Sequence, residues 1–123
     1  MNIVIGTANF LNRYGLKKKE IKKKEIKKIF LFCKKNKIRN LDTAFAYDKF
    51  KYIKGIKFDN FRISSKLNFF DNKRTAYDDE KYLKLIRSRI KELKIKSFDK
   101  FFIHNVDKLS KKNLVKAIHT MKI

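Results

Sequence analysis

Proline and tryptophan are absent from this 123-residue chain, cysteine occurs once and glycine three times. Acidic residues are also scarce: 12 Asp and Glu stand against 34 Lys and Arg, a formal net charge of +22. Each shortage excludes a class of protein. The single cysteine, Cys33, can close no intrachain disulfide, which fits a reducing cytoplasm. With glycine only at positions 6, 15 and 55, there is no glycine-rich phosphate loop or dinucleotide fingerprint, and a Rossmann domain is disfavoured. Zinc-ligand spacing and a nucleophile elbow are missing too, so no metal site is expected. The amino terminus, Met-Asn-Ile-Val-Ile-Gly, lacks the basic region and long apolar stretch of a signal peptide. The apolar run at residues 29–33 is too short to span a bilayer, so a soluble cytoplasmic protein is expected.

Hydrophobic residues make up 43% of the chain and aromatics 14%, enough for one folded domain with a modest core over residues 1–123. The positive excess first suggests nucleic acid or an anionic surface. Its composition argues otherwise. Lysine far outnumbers arginine, the residue that makes bidentate phosphate and base contacts. Lys, Ile, Asn and Phe dominate, the residues of A/T-rich codons, so compositional drift accounts for the charge without a partner. A basic nucleic-acid-binding module is the alternative, and it requires salt-sensitive binding.

Short β-rich runs alternate with helical patterns. Residues 3–5, 38–43, 61–67 and 98–103 read as strands. Residues 17–35 read as a lysine-rich helix with Ile26, Ile29, Phe30 and Cys33 as its apolar stripe and Glu20–Lys24 as a supporting pair. A short helix is expected at residues 50–54, ending near Gly55, and a polar turn at 68–73. Asp78, Asp79 and Glu80 open a third helix that presents Tyr82, Ile86, Ile90 and Leu93 on one face. Ser110 caps a last helix marked by Leu114, Val115, Ile118 and Met121, with His119 exposed. Four βα repeats at this spacing predict a parallel sheet in the α/β class.

Four polar side chains stand where a predicted strand gives way to a loop: Asp42, Tyr47 five residues later, Lys66 and His104. Strand-helix barrels hold their chemistry at the carboxyl ends of strands. An acid, a phenol, an amine and an imidazole converging there would make a proton-transfer site. Taken singly, each has a plain structural reading: turn or cap, cover for a sheet end, surface lysine, satisfied histidine.

The segments Ile5-Gly6-Thr7-Ala8-Asn9-Phe10 with Tyr14-Gly15, Leu41-Asp42-Thr43-Ala44 with Tyr47, Ile63-Ser64-Ser65-Lys66, and Asp99-Lys100-Phe101-Phe102-Ile103-His104-Asn105 together resemble the aldo-keto reductase family. The resemblance runs over nearly the whole chain and implies four βα units of a TIM-type (β/α)8 barrel. It implies hydride transfer from NADPH or NADH to an aldehyde or ketone. Tyr47 would be the proton donor, Lys66 the cation that lowers its pKa from about 10, Asp42 the partner of Lys66, and His104 the group that orients the carbonyl. Such tuning requires a site largely closed to water. Gly6, Thr7 and Asp42 are the residues left to contact the nicotinamide end of the cofactor.

Two departures from the family pattern stand out. Tyr47 is followed by Asp48-Lys49-Phe50-Lys51 where the family has a glycine and then a Ser-Glu pair, and the stretch to Gly55 is short. A full barrel of this type runs to about 250 residues, and this chain stops where a fifth strand would follow. The reading is therefore a truncated half-barrel, a fragment whose open sheet edges and apolar inner face invite a complementary half or self-association. The isolated chain is expected to be inactive or dependent on a second half; a non-catalytic fragment of a disrupted gene is a further alternative. Substrate identity and the choice between NADPH and NADH are not readable from these residues.

Overall fold

The computed structural model describes residues 3–16, 19–47, 49–69 and 78–121. Four strands, β1 (Val4–Gly6), β2 (Asn40–Asp42), β3 (Arg62–Leu67) and β4 (Lys100–Ile103), form one parallel sheet in chain order. Parallel neighbours need long crossovers. Two of the crossovers carry α-helices, α1 (Lys23–Lys35) and α2 (Asp79–Leu93), and α3 (Lys111–Thr120) follows β4. This is an α/β fold with the architecture of half a TIM-type barrel. No helix among the described residues is long and apolar enough to cross a membrane.

Alternation along the strands sorts residues to two faces. Ile5, Leu41, Ile63 and Leu67 turn toward the helices, where they meet Phe10, Ile26, Phe30, Phe50, Ile53 and Phe58 in one cluster and Phe69, Tyr82 and Ala117 in another. The opposite face, which would look into a barrel, is uncovered: Val4 is 55% exposed and Phe102 47%. An apolar inner face was expected, and the structure corrects this. Asn40, Asp42, Arg62, Ser64, Lys66 and Lys100 occupy that face, leaving Val4 and Phe102 as its large apolar groups among the described strand residues. Period-2 alternation had placed polar residues at every second position, and burial shows which set faces outward.

Helix α1 starts later than the lysine pattern implied. Residues 19–22 are instead held in an extended segment, with Ile21 N–H donating to Asn9 O (2.9 Å) and Leu11 N–H to Ile21 O (3.1 Å). Asn9 Nδ2 adds bonds to Tyr14 O and Lys19 O, so Glu20 precedes the helix and its spacing to Lys24 supports nothing. A run of like charges offers little to a helix, and the Phe10–Ile21 pairing takes the chain first. The helix begins where Lys22 N–H donates to Glu25 Oε2 at 3.0 Å. Ile26, Phe30 and Cys33 are then buried as the stripe required, and burial pushes the Cys33 thiol pKa up, keeping it protonated and unreactive.

The β2–β3 crossover has a single 3-10 turn, Lys49–Tyr52, in place of a full helix. Its Phe50, Ile53 and Phe58 are buried and do the covering instead, and Gly55 reverses the chain at φ +90°. The polar turn expected at 68–73 lies mostly outside the described residues. Helix α2 is capped by Asp78, whose carboxylate accepts from Lys81 N–H at 3.0 Å, and α3 by Ser110, which accepts from Asn113 N–H at 3.3 Å. The face of α3 is rotated from expectation. Ala117 and Thr120 are buried, whereas Val115 and Ile118 are exposed, because the small Ala117 permits close approach and Thr120 Oγ1 donates toward Asp79 Oδ1 at 3.0 Å.

Candidate active site

Parallel strands bring their carboxyl ends to one rim. Asp42 ends β2, in register with Gly6 on β1 and Ser64 on β3. Lys66 lies two residues beyond Ser64 on the same face, and His104 directly follows β4. Backbone bonds carry the pairing past the formal strand ends: Thr43 N–H donates to Ser64 O (2.9 Å), Phe45 N–H to Lys66 O (3.0 Å) and His104 N–H to Leu67 O (3.0 Å). The chain then folds back, with Tyr47 N–H donating to Ala44 O at 3.2 Å. From the loop after β1, Asn12 Nδ2 donates to Tyr47 O at 3.0 Å and holds the tyrosine backbone from the other side.

The side chains converge on that rim. Lys66 Nζ donates to both Asp42 oxygens, at 2.9 and 3.0 Å. The Tyr47 ring stands edge-on to His104 with centroids 6.4 Å apart, and 6.0 Å from Tyr14. The phenol of Tyr47 is pushed above its ordinary pKa by burial first; the Lys66 ammonium pulls it down, while Asp42 and Tyr14 oppose that pull. The net direction is upward, so the influence of Lys66 is present but does not prevail. Lys66 itself is pushed down by burial, yet its hydrogen bond and attraction to Asp42, aided by Tyr47, carry its pKa above the ordinary value. The ammonium and the protonated phenol are therefore the neutral-pH forms.

The rim is not closed to water. The Asp42 side chain is 37% exposed, Lys66 22%, and His104 is exposed. Of the residues expected at the nicotinamide end, Gly6 lies on the open face and a Cβ there would meet nothing within 4 Å. Thr7 is fully buried, and both its N–H (3.0 Å) and its hydroxyl (3.1 Å) donate to Asp42 O, so it ties β1 to the end of β2. Asn12 had no sequence signal, since nothing in Asn9-Phe10-Leu11-Asn12 marks a loop asparagine as a tether.

Among solved structures, the fold matches a crystal structure from Pseudomonas aeruginosa provisionally described as an aldo-keto reductase. The TM-score is 0.66 at 16% identity. That likeness is one of fold alone. It covers 98% of this chain and 51% of the other, so the chain spans about half the length of the structure it matches. No family model matches the chain, and no curated protein matches it in sequence.

Proposed function

We propose that this chain contributes the acid–base half of an aldo-keto reductase-type site, which reduces an aldehyde or ketone with NADPH or NADH. The observation that carries this reading is the bidentate Asp42–Lys66 pair beside the phenol of Tyr47, at the carboxyl ends of a parallel sheet. A nicotinamide held beside Gly6 and Asp42 would supply hydride to the carbonyl carbon. Tyr47 gives its proton to the carbonyl oxygen as that charge develops, and the phenolate left behind is stabilised by Lys66 until solvent returns a proton. Asp42 keeps Lys66 charged and in place, and exposed His104 orients the carbonyl. Gly6 leaves room for a flat ring against the open face.

The reading also calls for a second βα layer over that face, in the same polypeptide or another, to exclude water and hold the rest of the cofactor. A second copy of this chain fits poorly. Arg62, Lys66 and Lys100 face outward against the single carboxylate of Asp42, and each copy carries +22 overall. The complementary layer is expected to bring carboxylates. The test is NADPH consumption with an electron-poor aromatic aldehyde, using this chain assembled with its complementary half. Tyr47→Phe should lower turnover by about 10²–10⁴-fold while leaving the far-UV spectrum unchanged. Equal turnover without the phenol would remove Tyr47 from the mechanism.

A further inference from the structure

At the other end of the strands a groove opens between the carboxyl half of α1 and the segment leading into β3. Its volume is about 640 Å³, within the range of small-ligand sites. The floor is apolar, made by Phe30, Leu31, Ile38, Ile56 and Phe61. The rim carries Lys27, Lys34, Lys37, Arg39, Lys54 and Lys57, with no acidic residue in the lining. Two left-handed turns, at Lys37 (φ +55°) and Gly55 (φ +90°), set the walls. The β2–β3 crossover makes a 3-10 turn in place of a full helix, and Leu31 is 67% exposed.

What sets this groove apart is a wholly cationic rim around an apolar floor. A few cations elsewhere meet carboxylates, as in Lys51–Glu92, Lys66–Asp42 and Lys84–Glu80. The cleft along α2 mixes Asp78 and Glu80 with Lys81 and Lys84. None of the six rim cations is ion-paired among the described residues. Unpaired like charges around an apolar floor repel one another, and a dianion with an apolar body relieves both the repulsion and the exposed surface.

We infer that this groove binds a soluble single-tailed amphiphile with a phosphate head, the tail on the Leu31–Ile56–Phe61 floor and the phosphate among the rim lysines. The site lies away from the Asp42–Lys66 rim, so its occupancy is independent of carbonyl chemistry. The test is a ¹⁵N NMR titration of the chain with octyl phosphate below its micelle concentration. Saturable shifts at the amides of Leu31, Ile38, Gly55 and Ile56 are expected, with octanol and inorganic phosphate each at least about tenfold weaker. Lys34→Glu/Lys57→Glu should weaken binding about tenfold or more, and the same reversal on other helices, Lys91→Glu/Lys116→Glu, by less than about threefold. If the groove reversal perturbs the fold, Lys34→Gln/Lys57→Gln serves in its place. Equal loss in both reversals, inorganic phosphate or octanol as tight as the amphiphile, or binding only to phosphatidylglycerol vesicles would each overturn the assignment.

Discussion

Replacing Lys66 by methionine keeps an unbranched apolar stem and removes the charge that Asp42 and Tyr47 share. The pair is bidentate, at 2.9 and 3.0 Å, with side chains 22% and 37% exposed. That places it between an exposed ion pair, worth about 0–1 kcal/mol, and a buried one, whose breaking costs about 3–5 kcal/mol. Screening at the half-exposed carboxylate brings the expected loss to about 1–2 kcal/mol, read as a lower urea midpoint with unchanged slope. The same variant tests the chemistry. Burial already holds the Tyr47 phenol above its usual pKa against the pull of Lys66, so Lys66→Met should raise its titration midpoint further. Asp42→Asn should lower it by removing an opposing anion. Tyrosine ¹³Cζ NMR reads both midpoints. A Tyr47 midpoint that stayed or fell in Lys66→Met would show that the ammonium does not act on the phenol, and the proton-donor assignment would lose its basis.

Lys66 and Tyr47 both hold their protons more tightly folded than unfolded, so their contribution to stability is whole below about pH 10. It is lost as pH rises through the folded values; alkaline denaturation curves should show that edge, and Lys66→Met should remove the Lys66 part of it while enlarging the Tyr47 part. Glu92 bridges Lys51 (2.6 Å) and Arg89 (3.1 Å), cations whose side chains are only 5% and 14% exposed. Glu92→Gln should cost about 2 kcal/mol by urea denaturation, discounted from the fully buried case because the carboxylate is 40% exposed. The hydrogen bond from Lys51, with the attraction of Lys51 and Arg89, holds the Glu92 pKa low against burial. Its contribution is therefore lost as pH falls through that lowered value, and the variant should show a flatter acid limb. Thr43 Oγ1 is buried with no hydrogen-bond partner among the described residues; Thr43→Val should stabilise by about 1 kcal/mol in the same assay.

Strand positions and the stripe of α1 were legible because they depend on local periodicity, which survives in a lysine-rich sequence. Asp42, Lys66 and His104 were legible because a residue ending a parallel strand has only one rim to occupy. The Lys51–Glu92–Arg89 cluster was not, since 41 residues separate Lys51 from Glu92 and no pattern links them. The late start of α1 was hidden for a similar reason: the competing Phe10–Ile21 pairing is a contact between two elements. The true buried face of α3 also had to wait, because Ala117 and Thr120 are chosen by the neighbour they meet and not by hydrophobicity.

By itself the amino-acid order determined the alternation of strands and helices and the placing of Asp42, Lys66 and His104 at or beside strand ends. Those features follow from side-chain period and backbone preference, which act over a few residues. Tertiary structure alone decided the net direction of the Tyr47 pKa, the polar character of the uncovered face and the unpaired cationic groove. Each depends on which distant groups share a low-dielectric neighbourhood, and on how much water reaches them.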